Sequence, residues 1–169
     1  AFKYKIYPQG ETLSCVVKQE VTGFAFPDGT TTFLCPQSKP MGGFARTSPS
    51  YETSYTADDV AGKNGWGEGY TFPCLFRNGD NGWVLVSETG VNGGYCASRL
   101  LGHKGGVYTI GFPQEGEANG NGTVSPGIAL PGETPWRTIT VGKTLAPIVE
   151  TTVPFDVVKP GYAQLYQSF

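Results

Sequence analysis

Four glutamates stand where a carboxylate could do chemistry: Glu68, Glu88, Glu115 and Glu117. Hydrolysis of a glycosidic bond needs two carboxyl groups flanking that bond, one as acid and one as nucleophile or base. Glu88 has the most suggestive position. It ends the apolar run Trp83-Val84-Leu85-Val86-Ser87 and enters the glycine-rich turn Thr89-Gly90-Val91-Asn92-Gly93-Gly94. A carboxylate at a strand end beside an open loop suits a calcium ion or a contact across a domain interface. By position alone, a solvated or turn-capping glutamate is the plainer reading. Asn78, Asp80 and Asn81 add oxygen donors in the preceding turn, but they lack the full acidic loop and terminal glutamate of an EF-hand. Trp66, Tyr70, Tyr95 and Trp136 lie near glycine-rich turns, where a flat ring could stack on a sugar. The plainer reading of each is a core or edge aromatic.

Other chemistries find little support. His103 is the single histidine and is flanked by Gly102, Lys104, Gly105 and Gly106, as an exposed turn residue would be. A nucleophilic triad needs a base oriented beside its nucleophile, and neither Gly-x-Ser-x-Gly nor a phosphate-binding Gly-x-x-x-x-Gly-Lys-Ser/Thr occurs. Cys15, Cys35, Cys74 and Cys96 contain no Cys-x-x-Cys, so the tight ligand pairs of a structural zinc site are missing. Free thiols are expected, with Cys15, Cys74 and Cys96 as small hydrophobes inside apolar segments, although a disulfide stays open. The formal net charge is -2 and the isoelectric point about 5.4. Without a basic stripe, the electrostatic attraction that dominates nucleic-acid binding is missing. The densest acidic positions, Asp58-Asp59 and the pair Glu115 and Glu117, read as solvated.

The elements that must position these groups are short strands. The 169 residues include 25 Gly and 13 Pro, a turn-dense composition without collagen's period of three, and 13% aromatics argue for an ordered core. Alternating or short apolar runs place strands at residues 2–7, 12–18, 21–26, 31–35, 71–77, 83–87, 95–101, 107–112, 136–141 and 148–158. Helix is expected only around residues 54–60 and 163–168. Pro27-Asp28-Gly29 reads as a hairpin turn. Asn78-Gly79-Asp80-Asn81-Gly82 reads as a five-residue hairpin loop, and Asn92-Gly93-Gly94 breaks the next pair. Residues 36–69 and 113–135 look like long polar loops. This is an all-β pattern, an antiparallel β-sandwich, forming a single domain over residues 1–169. No apolar run approaches the ~20 residues of a membrane helix, and no signal peptide is visible. The chain opens directly on a strand, and its one methionine is Met41; an excised piece of a longer protein is expected.

Several blocks carry a family resemblance. They are Glu68-Gly69-Tyr70-Thr71-Phe72-Pro73-Cys74-Leu75-Phe76 and Trp83-Val84-Leu85-Val86-Ser87-Glu88-Thr89-Gly90-Val91-Asn92-Gly93-Gly94-Tyr95-Cys96. Tyr108-Thr109-Ile110-Gly111-Phe112-Pro113-Gln114-Glu115-Gly116-Glu117, Thr134-Pro135-Trp136-Arg137 and Leu145-Ala146-Pro147-Ile148-Val149-Glu150-Thr151-Thr152 follow in order. Over residues 2–158 the chain resembles the N-terminal domain of glycoside hydrolase family 97, bacterial α-glucosidases and α-galactosidases of the Bacteroides type. The resemblance implies a galactose-mutarotase-like super-sandwich, incomplete here, ahead of a catalytic (β/α)8 barrel that this chain lacks. It also implies a periplasmic or secreted parent. The domain would pack on the barrel and lend one glutamate to a calcium site beside the substrate, Glu88 by position and Glu68 second. Calcium is then expected in the complete enzyme and not in this chain alone.

A chain without the barrel has no catalytic residues of its own and is expected to be inactive. Unpaired sheet edges would favour a dimer. A different class of function is a stand-alone carbohydrate-binding sandwich using Trp66, Tyr70 or Trp136 as its platform. A small self-sufficient hydrolase is a third reading, and it would require two acids about 5 to 9.5 Å apart.

Overall fold

A computed structural model describes residues 1–37, 56–61, 69–104, 106–113 and 124–159, the side chains of residues 103 and 104 excepted. Trp66, Glu68, Glu115, Glu117 and the expected helix at residues 163–168 lie outside the described residues. The larger sheet contains β4 (Thr31–Phe33), β5 (Asp59–Val60), β6 (Cys74–Arg77), β7 (Trp83–Thr89) and β12 (Trp136–Gly142), in the order β12-β7-β6-β4-β5. The facing sheet has β3 (Gly23–Ala25), β8 (Arg99–Lys104) and β9 (Val107–Gly111), in the order β3-β9-β8. Two small pairs complete the described strands: β1 (Lys5–Ile6) with β11 (Gly132–Glu133), and β2 (Ser14–Val16) with β10 (Gly127–Ala129). Every named pairing is antiparallel.

Alternation decides what each sheet buries, because successive side chains of a strand point to opposite faces. Leu34, Cys74, Phe76 and Val86 supply the inner face of the larger sheet, while Phe24, Leu100, Tyr108 and Ile110 supply that of the smaller. Phe26 stacks on Phe76 with ring centroids 4.0 Å apart, and Tyr108 meets Phe76 edge-on at 5.2 Å. This is a sandwich core, in which two half-buried sheets cover each other's apolar rows.

Turn chemistry explains one agreement and one departure. Arg77 pairs with Trp83 across the loop at residues 78–82, so that hairpin forms as expected. A single 3-10 turn at Gly79–Asn81 fills it. Gly82 has φ +139, and a Cβ there would stand 2.6 Å from the Gly142 carbonyl; only glycine tolerates both. Pro27-Asp28-Gly29, in contrast, is not a hairpin. It joins β3 of one sheet to β4 of the other, and the Thr30 amide bonds back to the Pro27 carbonyl at 3.2 Å. The turn residues signalled a reversal correctly. Which partners the flanking strands would choose depended on burial across the sandwich.

Three expected elements differ. The strand expected at residues 148–158 is replaced by two helical turns, α1 (Ala146–Val149) and α2 (Val153–Asp156). Pro147 and Pro154 sit in their first turns, where proline's fixed φ and missing N–H suit a helix start and disfavour a strand. The segment packs outside the larger sheet, with Thr151 bonding Thr140 at 3.2 Å and Thr89 donating to the Pro154 carbonyl at 2.9 Å. The expected helix near residues 54–60 is strand β5 where described, paired with β4. Finally, the 113–135 excursion contributes β10, β11 and the buried Ile128. His103 lies in β8 rather than in a turn. None of the four cysteines is joined in a disulfide in this structure, and Cys74 is fully buried.

Phe76 anchors both halves of the core, so Phe76→Ala should cost about 3–5 kcal/mol in urea denaturation. A loss below about 1 kcal/mol would show that the two sheets do not depend on this contact.

Candidate functional site

The inner row of β12 carries a charge where the sheet faces the core. Arg137 stands directly opposite Glu88 in the β7–β12 ladder, on the same face as the pair Ile139 and Val86. Its side chain is wholly buried, and those of Glu20 and Glu88 are 4% and 6% exposed. Glu20 arrives from the segment leading into β3, in phase with Thr22 and the core residue Phe24.

The guanidinium is bracketed from two sides. Its Nε donates to Glu20 Oε1 at 2.9 Å and its Nη2 to Glu20 Oε2, a two-pronged pair. Nη1 donates to Glu88 Oε2, and Nη2 also donates to Ser98 Oγ at 3.0 Å. The Ser98 amide donates to Glu88 Oε1 at 3.0 Å, which fixes the second carboxylate's orientation. Thr22 donates to Glu20 Oε1 at 2.9 Å, and the Tyr4 hydroxyl lies 3.1 Å from Thr22 Oγ1. Burial by itself would lower the arginine's pKa. The hydrogen bonds and charges of Glu20, followed by those of Glu88, outweigh burial and push it up.

Tyr95 adjoins this cluster. The residue is 7% exposed, and its hydroxyl has no hydrogen-bond partner among the described residues. Burial, then the negative charge of Glu20, pushes its phenol above the ordinary range. Its neighbour Cys96 is pushed up to about 11, by burial first and by the Glu88 charge second.

The other expected site residues fall elsewhere. Tyr70, expected as a sugar platform, is a core residue at 4% exposure, edge-on to Tyr108 at 6.2 Å. Its backbone pairs with Leu100 through two hydrogen bonds, so packing takes the ring that a sugar would need. Gly69 permits that close approach, since a Cβ there would come within 2.8 Å of the Leu100 carbonyl. Trp136 lies on the outward row of β12, half-buried, with the Lys3 ammonium 4.8 Å over its ring. Asp58 is not simply solvated: it pairs with Arg77 and accepts from Thr31. Its φ is +56, a left-handed conformation that Asp adopts more readily than most residues.

Sequence reasoning singled out Glu88 but missed Glu20 and passed Arg137 over as part of a motif. A signal existed. Glu20 shares the even phase of the buried Thr22 and Phe24, so its charge occupied an inward position; Ile139 and Val141, in phase with Arg137, are exposed and gave no such signal.

A divalent cation needs several oxygen ligands, and no group of three or more His, Cys, Asp or Glu converges among the described residues. Each Glu88 oxygen nevertheless keeps a lone pair beyond its one bond among the described residues. Glu88 could offer those lone pairs as one ligand, but the described residues do not complete a site. As acid–base machinery the cluster is poorly suited, since both carboxylates are spent on one guanidinium.

Comparison with known proteins places this arrangement. The family model described as Glycosyl-hydrolase 97 N-terminal matches residues 1–160. A crystal structure of a beta-arabinopyranosidase superposes with a TM-score of 0.88 at 61% identity, over 94% of this chain and 26% of that one. A variant of a glycoside hydrolase family 97 enzyme from Pseudoalteromonas sp. strain K8 superposes at 0.68 with 21% identity, over 94% and 22%. The enzyme of that family and strain in complex with acarbose superposes at 0.62 with 19% identity, over the same shares. The chain thus spans about a quarter of the solved structures it matches. No curated protein matches it.

Removing Arg137 would strand two buried carboxylates. Arg137→Met should destabilise the fold by about 3–5 kcal/mol, read by chemical denaturation. Arg137→Lys should recover only part of this, because an ammonium cannot reproduce the two-pronged geometry. Equal stability of all three proteins would show that the cluster contributes nothing. The raised Cys96 pKa also has a pH consequence. The folded state favours the neutral thiol, so the stabilisation is complete below the ordinary value of 9.0 and is lost as pH rises through about 11. Cys96→Ser should flatten the fall in stability between those limits, and an unchanged slope would count against the assignment.

Proposed function

Because the chain belongs to the glycosyl-hydrolase 97 N-terminal family, we propose that it is the non-catalytic β-sandwich portion of a family 97 glycosidase. It packs on a catalytic (β/α)8 barrel of the same parent chain and holds Glu88 toward that barrel's substrate site. The observation that carries this reading is the disposition of the buried carboxylates. Glu20 and Glu88 face the same guanidinium rather than an open space between them, so they cannot flank a glycosidic bond as an acid and its partner. Arg137 and the Ser98 amide instead hold Glu88 oriented near the end of β7.

With calcium bound in the complete enzyme, the ion would supply positive charge beside the reacting sugar. This chain's part is to present Glu88 as one oxygen ligand, with Arg137 and Ser98 fixing its orientation. Glu68 is the second choice for the same role. The 61% identity to a beta-arabinopyranosidase bears on substrate class. A β-L-arabinopyranoside has the ring stereochemistry of an α-D-galactoside and lacks only its hydroxymethyl group. Of the two α-glycosides expected for the parent, the galactoside lies nearer, with the arabinopyranoside beside it. A periplasmic or secreted location accompanies this reading of the parent.

The test uses the full-length parent enzyme. Glu88→Gln should lower kcat/KM on nitrophenyl glycosides at least tenfold and raise the calcium concentration needed for half-maximal activity. Glu20→Gln removes a charge from the same arginine and controls for damage to the cluster. If both variants lose activity equally, with unchanged calcium dependence, Glu88 is a structural residue only and the role in the substrate site fails.

A further inference from the structure

Six Asn-Gly pairs punctuate the chain, and three of them, Asn78-Gly79, Asn81-Gly82 and Asn92-Gly93, lie among the described residues. A glycine amide can reach the side-chain carbonyl of a preceding asparagine because no Cβ blocks its approach. The fold treats the three pairs differently. Asn92, Gly93 and Gly94 are all exposed, on the loop that leaves β7 shortly after Glu88. The Gly94 amide donates to Asn92 Oδ1 at 2.7 Å, which draws electrons from the side-chain carbonyl carbon. The Tyr95 amide donates to the Asn92 main-chain carbonyl at 3.2 Å and closes the turn. The Gly93 amide between them makes no hydrogen bond among the described residues. In the 78–82 loop, by contrast, Asn78 is half-buried, its amide donates to the Gly82 carbonyl at 2.9 Å, and its side chain makes no capping bond. Asn81 precedes the buried Gly82, which packs against the Gly142 carbonyl and leaves its amide little room to turn.

We propose that Asn92 is a site of spontaneous deamidation, an intramolecular acyl transfer whose only co-reactant is water. The Gly93 nitrogen attacks Asn92 Cγ. A new N–C bond forms, the Cγ–Nδ2 bond breaks, and ammonia departs with the proton that the Gly93 amide gives up. Negative charge developing on Oδ1 meets the Gly94 amide, a backbone donor already in place. The cyclic imide then takes up water at either carbonyl, the hydroxyl going to carbon and the hydrogen to the Gly93 nitrogen. Opening at Cγ leaves aspartate at this position. Opening at the main-chain carbonyl leaves isoaspartate, with an extra methylene in the backbone. Either product puts a carboxylate on the loop between Glu88 and Tyr95, in a cleft of about 650 Å³ that Lys3, Glu133 and Trp136 also line. The reaction draws on this loop alone, so it is independent of any role of Glu88 beside a barrel.

Peptide mapping of the full-length parent, incubated at mildly alkaline pH, provides the test. Each pair is followed by the mass gain of amide-to-acid conversion, and isoaspartate by enzymatic methylation. Unfolded in guanidinium chloride, the three pairs should convert at similar rates, because local sequence then governs. In the folded protein Asn92 should convert at least as fast as in the unfolded chain. It should also convert about tenfold faster than Asn78 or Asn81, the effect of roughly one hydrogen bond on a barrier. Gly93→Ala should suppress conversion at Asn92 without loss of stability, since a Cβ there meets nothing within 4 Å and hinders only the attack. Conversion of Asn78 or Asn81 ahead of Asn92 in the folded protein would overturn the proposal. So would conversion at Asn92 that Gly93→Ala leaves unchanged. Slower conversion of Asn92 folded than unfolded would show that the Gly94 bond immobilises the side chain instead, and would overturn it equally.

Discussion

A guanidinium with no exposed surface is tolerable only if every part of it meets a hydrogen-bond acceptor, and Arg137 imposes that condition on the molecule around it. Its partners come from three segments: Glu20 ahead of β3, Glu88 on β7, and Ser98 just before β8. β3 and β8 belong to the smaller sheet and β7 to the larger. The charge cluster therefore ties the two layers together at one end of the sandwich, while the Phe26, Phe76 and Tyr108 rings tie them in the middle. Apolar burial is non-directional. A two-pronged ion pair is not, and it sets which residues of β12 and β7 can face the segment bearing Glu20.

The same geometry separates support from catalysis. A carboxylate that works as a general acid needs an environment that lets it hold a proton near neutral pH. Glu88 instead has both carboxylate oxygens engaged, one by a guanidinium and one by an amide donor. Such a group suits the holding of a cation or the ordering of a neighbouring surface. The unpartnered Tyr95 hydroxyl and the exposed Tyr4, Tyr7 and Val21 lie on that same side.

Some of this was written locally and some was not. Val86, Phe76 and Tyr108 alternate with less buried neighbours, so β6, β7 and β9 could be read from period alone. So could the 78–82 hairpin, whose glycines meet a backbone demand that no other residue satisfies at Gly82. Residues 148–158 misled because Ile, Val, Thr and Phe favour strands, whereas Pro147 and Pro154 refuse them and nucleate single helical turns. Glu88 was legible as an unusual carboxylate at a strand end, but its partner was not. Aromatic position near a glycine-rich turn did not distinguish Tyr70 in the core from Trp136 on the outer face.

By itself, the sequence determined the all-β class, most strand positions and the family, because alternation, turn residues and ordered motif blocks are properties of neighbouring residues. Only the tertiary structure decided that Pro27-Asp28-Gly29 crosses between sheets, that Tyr70 is core, and that Glu20 and Glu88 share Arg137. The reason is physical. Strand formation depends on local backbone and side-chain preference, whereas the fate of a charge or a ring depends on what is opposite it after two sheets close. For Arg137 and Glu20 that partner lies 117 residues away, beyond the reach of any local pattern.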